Sequence, residues 1–111
     1  MSMPVEGLQV EGSPGRMALR GELTFATVEG LDEPVARLLA TQQEGRVEVD
    51  LDGVTRSDSA GLALLIGFVA AAREAQLNLA FLGVPERLRA IARISEVEDL
   101  LGAAAPVTTA S

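Results

Sequence analysis

The sequence predicts a small α/β domain in which a four-stranded mixed sheet carries helices on one face. Residues 8–11 and 16–23 alternate apolar and polar side chains around a Pro-Gly pair, a pattern typical of a β-hairpin. Residues 46–51 and 77–82 have strand character and flank a helical stretch, residues 59–75. A strand–helix–strand unit normally forms a parallel, right-handed crossover. Hydrophobic residues make up 48% of the chain, which is enough for one packed core.

The first half of the chain supplies the hairpin, a helix and the clearest strand. We expect one domain over residues 1–111, with its core at about 8–101 and weakly ordered ends. Pro34 suits the first turn of a helix, with Asp32 as a possible cap and Gly45 as a stop signal. Strict alternation in residues 46–51 predicts a strand with one buried and one wet face.

The second half continues as loop, helix, strand, helix and a final short helix. Residues 52–58 are expected to form a loop before the helix at 59–75. After the strand at 77–82, Pro85 opens a helix over 86–93. Ser95-x-x-Glu98 has the spacing of a capping box and predicts a last short helix.

The residue types that are missing exclude many activities. The chain has no His, Cys or Lys, so Ser-His-Asp catalysis, thiol chemistry, Schiff bases and the usual zinc sites are excluded. We therefore expect no enzyme, no cofactor and no metal. The alternative from another class is a nucleotide-binding or nucleotide-hydrolysing enzyme, and the missing Lys and the lack of a phosphate loop argue against it. A net charge of −7 disfavours nucleic acid and anionic membranes as partners. No signal peptide or bilayer-spanning run is found, so a cytoplasmic protein without direct membrane insertion is expected.

The helix at 59–75 is apolar on two nearly opposite sides. One stripe suits the sheet, and a helix that is apolar all round is usually covered on both sides. We expect another molecule to cover the second side, which could also make the isolated chain a homodimer. The alternative is that other helices of the same domain cover it. The second side comprises Ala60, Ala63, Leu64, Gly67, Phe68 and Ala71.

The turn Asp58-Ser59-Ala60-Gly61 admits several interpretations. The plainest is that Asp58 or Ser59 caps the helix. Catalysis by Ser59 would need a base, which the chain lacks. A phosphate bound at the helix N-terminus would be repelled by the negative charge of Asp58. Phosphorylation of Ser59 remains chemically open, because a dianion suits a helix N-terminus.

These residues also carry a family resemblance. VDLDGVTRSDSAGLALL, residues 49–65, and the later PERLRAIARISEVEDLL resemble a STAS domain, the fold of bacterial anti-sigma factor antagonists. The resemblance implies a four-stranded mixed sheet with helices on one side. In phospho-switched antagonists the hydroxyl residue just before the Gly accepts phosphate from a partner kinase. That position is Ala60 in this chain, which speaks against such a switch.

A second branch of the family is the MlaB-like STAS subunit of phospholipid-transporting ABC transporters. Its motif is similar to the stretch from Asp58 to Leu65. This resemblance implies a non-catalytic module that contacts the transporter ATPase through the 54–60 loop and the outward side of the helix. The alternative partner is an anti-sigma factor kinase. The residues expected in the contact are Ser59, Ala60, Ala63, Leu64, Gly67 and Phe68, with Asp58 as the cap.

Overall fold

A mixed β-sheet carries the helices on one of its faces. The computed structural model describes residues 2–42, 45–99 and 101. Within these residues the elements are β1 (Ser2–Val5), β2 (Leu8–Ser13), β3 (Arg16–Leu23), α1 (Phe25–Val28), α2 (Asp32–Ala40), β4 (Arg46–Ser57), α3 (Ser59–Glu74), β5 (Asn78–Leu82) and α4 (Glu86–Ile94).

The strands lie in the sheet in the order in which they occur along the chain. The β1–β2 and β2–β3 pairs are antiparallel, whereas β3–β4 and β4–β5 are parallel. Ser13 pairs with Arg16 across a two-residue Pro14-Gly15 turn, where Gly15 has a φ of +77° that suits glycine. The predicted hairpin is therefore confirmed, and so is the parallel crossover through the helix at 59–75.

One face of the sheet is buried and the other is polar. Leu8 and Val10 of β2 and Val47, Val49 and Leu51 of β4 enter one buried cluster with the helices. On the open face, Arg16 forms ion pairs with Glu48 at 3.1 Å and with Asp50 at 2.7 Å. The predicted α/β class, with helices on one side of a mixed sheet, is confirmed.

Two stretches are more regular than the sequence indicates. Residues 2–5, predicted as a weakly ordered end, form β1 and add a fifth strand to the four predicted ones. Residues 52–57, predicted as loop, continue β4 and pair with the end of β3. The register between these two strands shifts twice along β3, so the alternation of buried and exposed residues stops after Leu51 although the pairing continues.

Three predicted helix signals are displaced in the structure. Asp32 is the first residue of α2 rather than its cap, which is Leu31, and α2 ends at Ala40, well before Gly45. Ser95 ends α4 instead of opening the last helix. Residues 98, 99 and 101 are helical, and the rest of the predicted last helix and the tail 102–111 lie outside the described residues.

Candidate functional site

The start of α3 is organised by one carboxylate. Asp58 is the N-cap residue, and its Oδ1 accepts hydrogen bonds from the backbone N–H groups of Ala60 at 2.9 Å and Gly61 at 3.2 Å. Its Oδ2 accepts a third bond, from the backbone N–H of Phe25 at 3.1 Å. The side chain predicted as a cap therefore also joins α3 to the first residue of α1.

These bonds change the acidity of Asp58. Partial burial works to raise the pKa of its carboxyl, because the charged form loses hydration. The bonds from Phe25, Gly61 and Ala60, helped by the nearby Arg87 guanidinium, outweigh that effect and hold the pKa below its ordinary value of 3.8. Asp58 is therefore a stable anion at neutral pH and a weak base.

Gly61 lets α3 approach β3 closely. A Cβ at this position would overlap the carbonyl oxygen of Leu23 and would lie 2.9 Å from the Leu23 Cγ. Leu23 is fully buried and Gly61 is buried beside it, so neither can move aside easily. The glycine of the Asp58-Ser59-Ala60-Gly61 turn thus has a packing role.

The expectation that Leu64 and Phe68 face outward as contact anchors is wrong. Leu64 is 3% exposed and Phe68 is completely buried. Helix α2 packs along α3, and both side chains belong to the buried cluster that includes Leu38 and Leu39 of α2. The alternative explanation for this side of α3, coverage by a helix of the same domain, therefore holds at these two positions.

The small residues of the same side remain accessible. Ser59, Ala63 and Gly67 are exposed and Ala60 is half-buried. A Cβ at Gly67 would meet only the Asp32 Oδ1, at 3.8 Å, so no packing within the described residues requires glycine there. We call Phe25 together with Ser59, Ala60, Ala63 and Gly67 the α1–α3 surface.

Phe25 is the residue that the sequence analysis missed. Its side chain is 73% exposed, an unusual position for one of only three phenylalanines in a chain without Trp or Tyr. It borders a groove of about 360 Å³ between α1 and α3, which we call the α1–α3 groove. The groove is lined by Phe25, Val28, Glu29, Gly30, Asp32, Ala60, Ala63 and Leu64.

A second depression lies on the other side of Phe25, at the carboxyl ends of β3 and β4. It has a volume of about 720 Å³ and is bordered by Asp58 and two arginines. The Arg87 Nε donates to the carbonyl oxygen of Ser57 at 2.9 Å, and Arg56 lies 3.9 Å from Glu22. The lining thus contains two guanidinium groups and the two carboxylates of Glu22 and Asp58, so the formal charges in this depression balance.

The geometry of the turn leaves little room for chemistry. The chain has no His or Lys, and the adjacent Asp58 is too weak a base to activate the Ser59 hydroxyl. The N–H groups of Ala60 and Gly61 already bond to Asp58 and are not free for a phosphate.

In the part of the chain that the structure describes, no three carboxylates gather in a way that could hold a metal ion. None of the helices described is long and apolar enough to cross a bilayer.

The sequence matches one protein family over most of its length. The family described as "Mlab, STAS domain" matches residues 6–102. The chain therefore belongs to the MlaB-type STAS domain family, in agreement with the resemblance carried by the Asp58-Ser59-Ala60-Gly61 motif.

Particular relatives share up to two fifths of the aligned residues. The chain is 39% identical over 83 residues to an anti-sigma-B factor antagonist of Staphylococcus epidermidis, which covers 73% of this chain and 74% of the relative. It is 32% identical over 83 residues, with the same coverage, to the anti-sigma-B factor antagonist of Staphylococcus aureus strain NCTC 8325. The solved structure of the anti-sigma factor antagonist SpoIIAA in its unphosphorylated form has the same fold, with a TM-score of 0.64, 17% identity and 84% of each chain covered.

Proposed function

We propose that this protein is a non-catalytic STAS module that antagonises an anti-sigma factor by binding it through the α1–α3 surface. The observation that carries the proposal is the exposed Phe25, which stands beside small, accessible residues at the start of α3. Aromatic side chains, phenylalanine among them, are enriched in the cores of protein interfaces relative to the rest of the surface. The relatives named anti-sigma-B factor antagonists support an anti-sigma factor as the partner class.

The surface is suited to binding without chemistry. Ala63 and Gly67 let a partner backbone come close, and Ser59 adds an exposed hydroxyl that forms no hydrogen bond within the described part of the chain. In this proposal Ser59 is a contact residue. Because Ala60 replaces the hydroxyl at the family's phosphate-accepting position, Ser59 is also the one hydroxyl of the turn that a kinase could modify.

A second candidate is a regulatory subunit of a phospholipid-transport ABC transporter. The family description, which names Mlab, and the alanine at position 60 favour it. The partner would then be the transporter ATPase, contacted through the same surface, and the chain would lie at the cytoplasmic side of the membrane through that complex. Both candidates place the module in the cytoplasm.

Photo-cross-linking from position 63 tests the choice between these partners. Ala63 is exposed, so a photoreactive phenylalanine derivative at this position leaves the core intact. The cross-linked product is isolated from the cells that make the protein and is identified by mass spectrometry. We expect an anti-sigma factor. An ABC transporter ATPase in its place would reject the antagonist proposal in favour of the second candidate, and cross-links to neither would reject both.

A charge inserted at Gly67 tests the surface itself. The space around position 67 is open, so Gly67→Arg should abolish complex formation and leave the fold intact. Ala40→Arg introduces the same charge at an exposed site at the far end of α2 and serves as the matched control. If the Gly67→Arg variant still co-purified at normal yield with the partner that cross-linking had identified, the α1–α3 surface would not be the contact. Ser59→Ala, measured in the same way, shows whether the hydroxyl takes part in recognition.

A further inference from the structure

The two sides of Phe25 differ in charge. On the side of the α1–α3 groove, the lining residues include the carboxylates of Glu29 and Asp32 and no basic side chain. Both residues are exposed, and neither forms an ion pair within the described ranges of the chain. On the other side, the guanidinium groups of Arg56 and Arg87 border the depression at the strand ends beside the carboxylates of Glu22 and Asp58, so that side carries no net formal charge. The groove is therefore apolar at its floor and negatively charged along the rim away from the arginines.

We propose that the α1–α3 groove receives an apolar side chain from a partner helix whose flanking residues are arginine or lysine. This inference rests on the proposed function and specifies the chemistry of the partner. The apolar floor, formed by Val28, Ala60 and Leu64, buries the inserted side chain. The rim carboxylates attract the basic residues beside it and repel an acidic segment, which sets partner choice and the rate of association.

The rim also places negative charge beside the exposed small residues of α3. Asp32 is the first residue of α2, and its Oδ1 lies 3.8 Å from the position that a Cβ on Gly67 would occupy. The negative rim therefore follows the exposed small residues along α3, from Ala63 to Gly67. A partner helix that crosses here packs closely against Gly67 and places its basic flank over Asp32, away from Arg56 and Arg87.

Charge argues against two other occupants. A second copy of this chain carries a net charge of −7 and, in a two-fold dimer through this groove, would bring Glu29 and Asp32 of both copies together. The chain's own residues 102–111 contain no arginine or lysine. Neither supplies the positive complement of the rim, whereas a basic segment of another protein does.

The test uses synthetic helical peptides as probes of the full chain. Two peptides of about 18 residues share one leucine-rich stripe and differ only in their flanks, which are arginine in one and glutamate in the other. Fluorescence anisotropy measures their dissociation constants. We expect the arginine peptide to bind about tenfold more tightly at low salt, and expect this preference to fade at about 0.5 M NaCl.

Matched variants separate the effect of the rim carboxylates on the preference for the arginine peptide from the effect of the protein's net charge. Glu29→Gln combined with Asp32→Asn should reduce the preference to about twofold or less. Glu33→Gln combined with Glu74→Gln removes the same net charge from exposed sites that do not line the groove. This control variant should keep the preference for the arginine peptide. Equal binding of both peptides, binding of neither, or equal effects of the two double variants would overturn the inference.

Sedimentation of the peptide-free chain tests whether a second copy of the protein, rather than a partner helix, occupies the groove. Dimerisation of the peptide-free chain that Gly67→Arg abolishes would assign the groove to self-association and overturn the inference. The identity of the cross-linked partner is a separate result. An anti-sigma factor whose cross-linked helix is acidic would leave the proposed function standing and refute only the basic partner helix.

Discussion

Replacement of glycine by alanine should have opposite effects on stability at the two glycines of α3, Gly67 and Gly61. At Gly67, alanine adds a methyl group whose nearest neighbour is the Asp32 Oδ1 at 3.8 Å, an ordinary contact distance. Alanine is better than glycine in a helix interior by about 1 kcal/mol, so Gly67→Ala should stabilise the protein by about that amount. For a chain of 111 residues this corresponds to a rise in Tm of about 4 °C.

Gly61→Ala is the matched comparison within the same helix. Its methyl group would overlap the Leu23 carbonyl oxygen and come within 2.9 Å of the Leu23 Cγ, so α3 and β3 must separate. Overpacking of this kind costs about 1–3 kcal/mol, and we expect Tm to fall by about 4 °C or more.

Thermal and urea unfolding, followed by far-ultraviolet circular dichroism, measure both effects. If Gly67→Ala were neutral or destabilising, or if Gly61→Ala were tolerated, the argument from open and filled space along α3 would be refuted. A Gly67→Ala variant that is more stable but binds its partner more weakly would show why glycine is kept at this position.

Three further predictions concern the cap, the core and the surface. Asp58→Ala should cost about 1 kcal/mol at neutral pH. Because the pKa of Asp58 is lowered by folding, its contribution is present above pH 3.8 and is lost as the pH falls through the folded-state pKa, so the difference between wild type and variant in urea unfolding should be smaller at a pH well below 3.8 than at neutral pH. An undiminished difference at that pH would contradict the charge-dependent cap. Leu64→Ala should cost about 2–5 kcal/mol in the same assay, and a loss below about 0.5 kcal/mol would mean that Leu64 is not a core residue. Phe25→Ala should change stability by no more than about 0.5 kcal/mol and weaken partner binding by more than about tenfold in biolayer interferometry; unchanged affinity would remove Phe25 from the contact.

The sequence predicts elements well where periodicity is strong. The hairpin, the strand beginning at Arg46, the long helix α3 and the strand β5 all occur within a residue or two of their predicted starts. The continuation of β4 through Ser57 could not be predicted in this way, because the register shifts against β3 disrupt the alternation on which the prediction depends. The pairing of β1 with β2 is likewise a long-range property that a short terminal segment does not reveal.

The candidate site was predictable in part. The pattern of apolar residues shows that α3 has two apolar sides, but the position of α2 decides which of those residues are covered, and α2 covers Leu64 and Phe68. Helix α1 is a single turn, too short for a periodic signal. Its position depends on two bonds to other parts of the chain: the Phe25 N–H donates to Asp58, 33 residues away in sequence, and the buried Thr27 hydroxyl donates to the carbonyl oxygen of Glu22. The scarcity of aromatic residues was the one available sign that Phe25 is unusual.

The shared carboxylate of Asp58 limits which residues natural variation can place at this position. Asparagine can cap α3 with its single carbonyl oxygen, but its amide group would then face the N–H of Phe25, donor against donor. Serine, another common cap residue, has one oxygen and leaves Phe25 without an acceptor. Only a short side chain with two acceptor oxygens serves both helices. Substitutions that are interchangeable at most helix starts would here also remove the acceptor of the Phe25 N–H, so the choice of residue at position 58 is constrained by a neighbour far away in the chain.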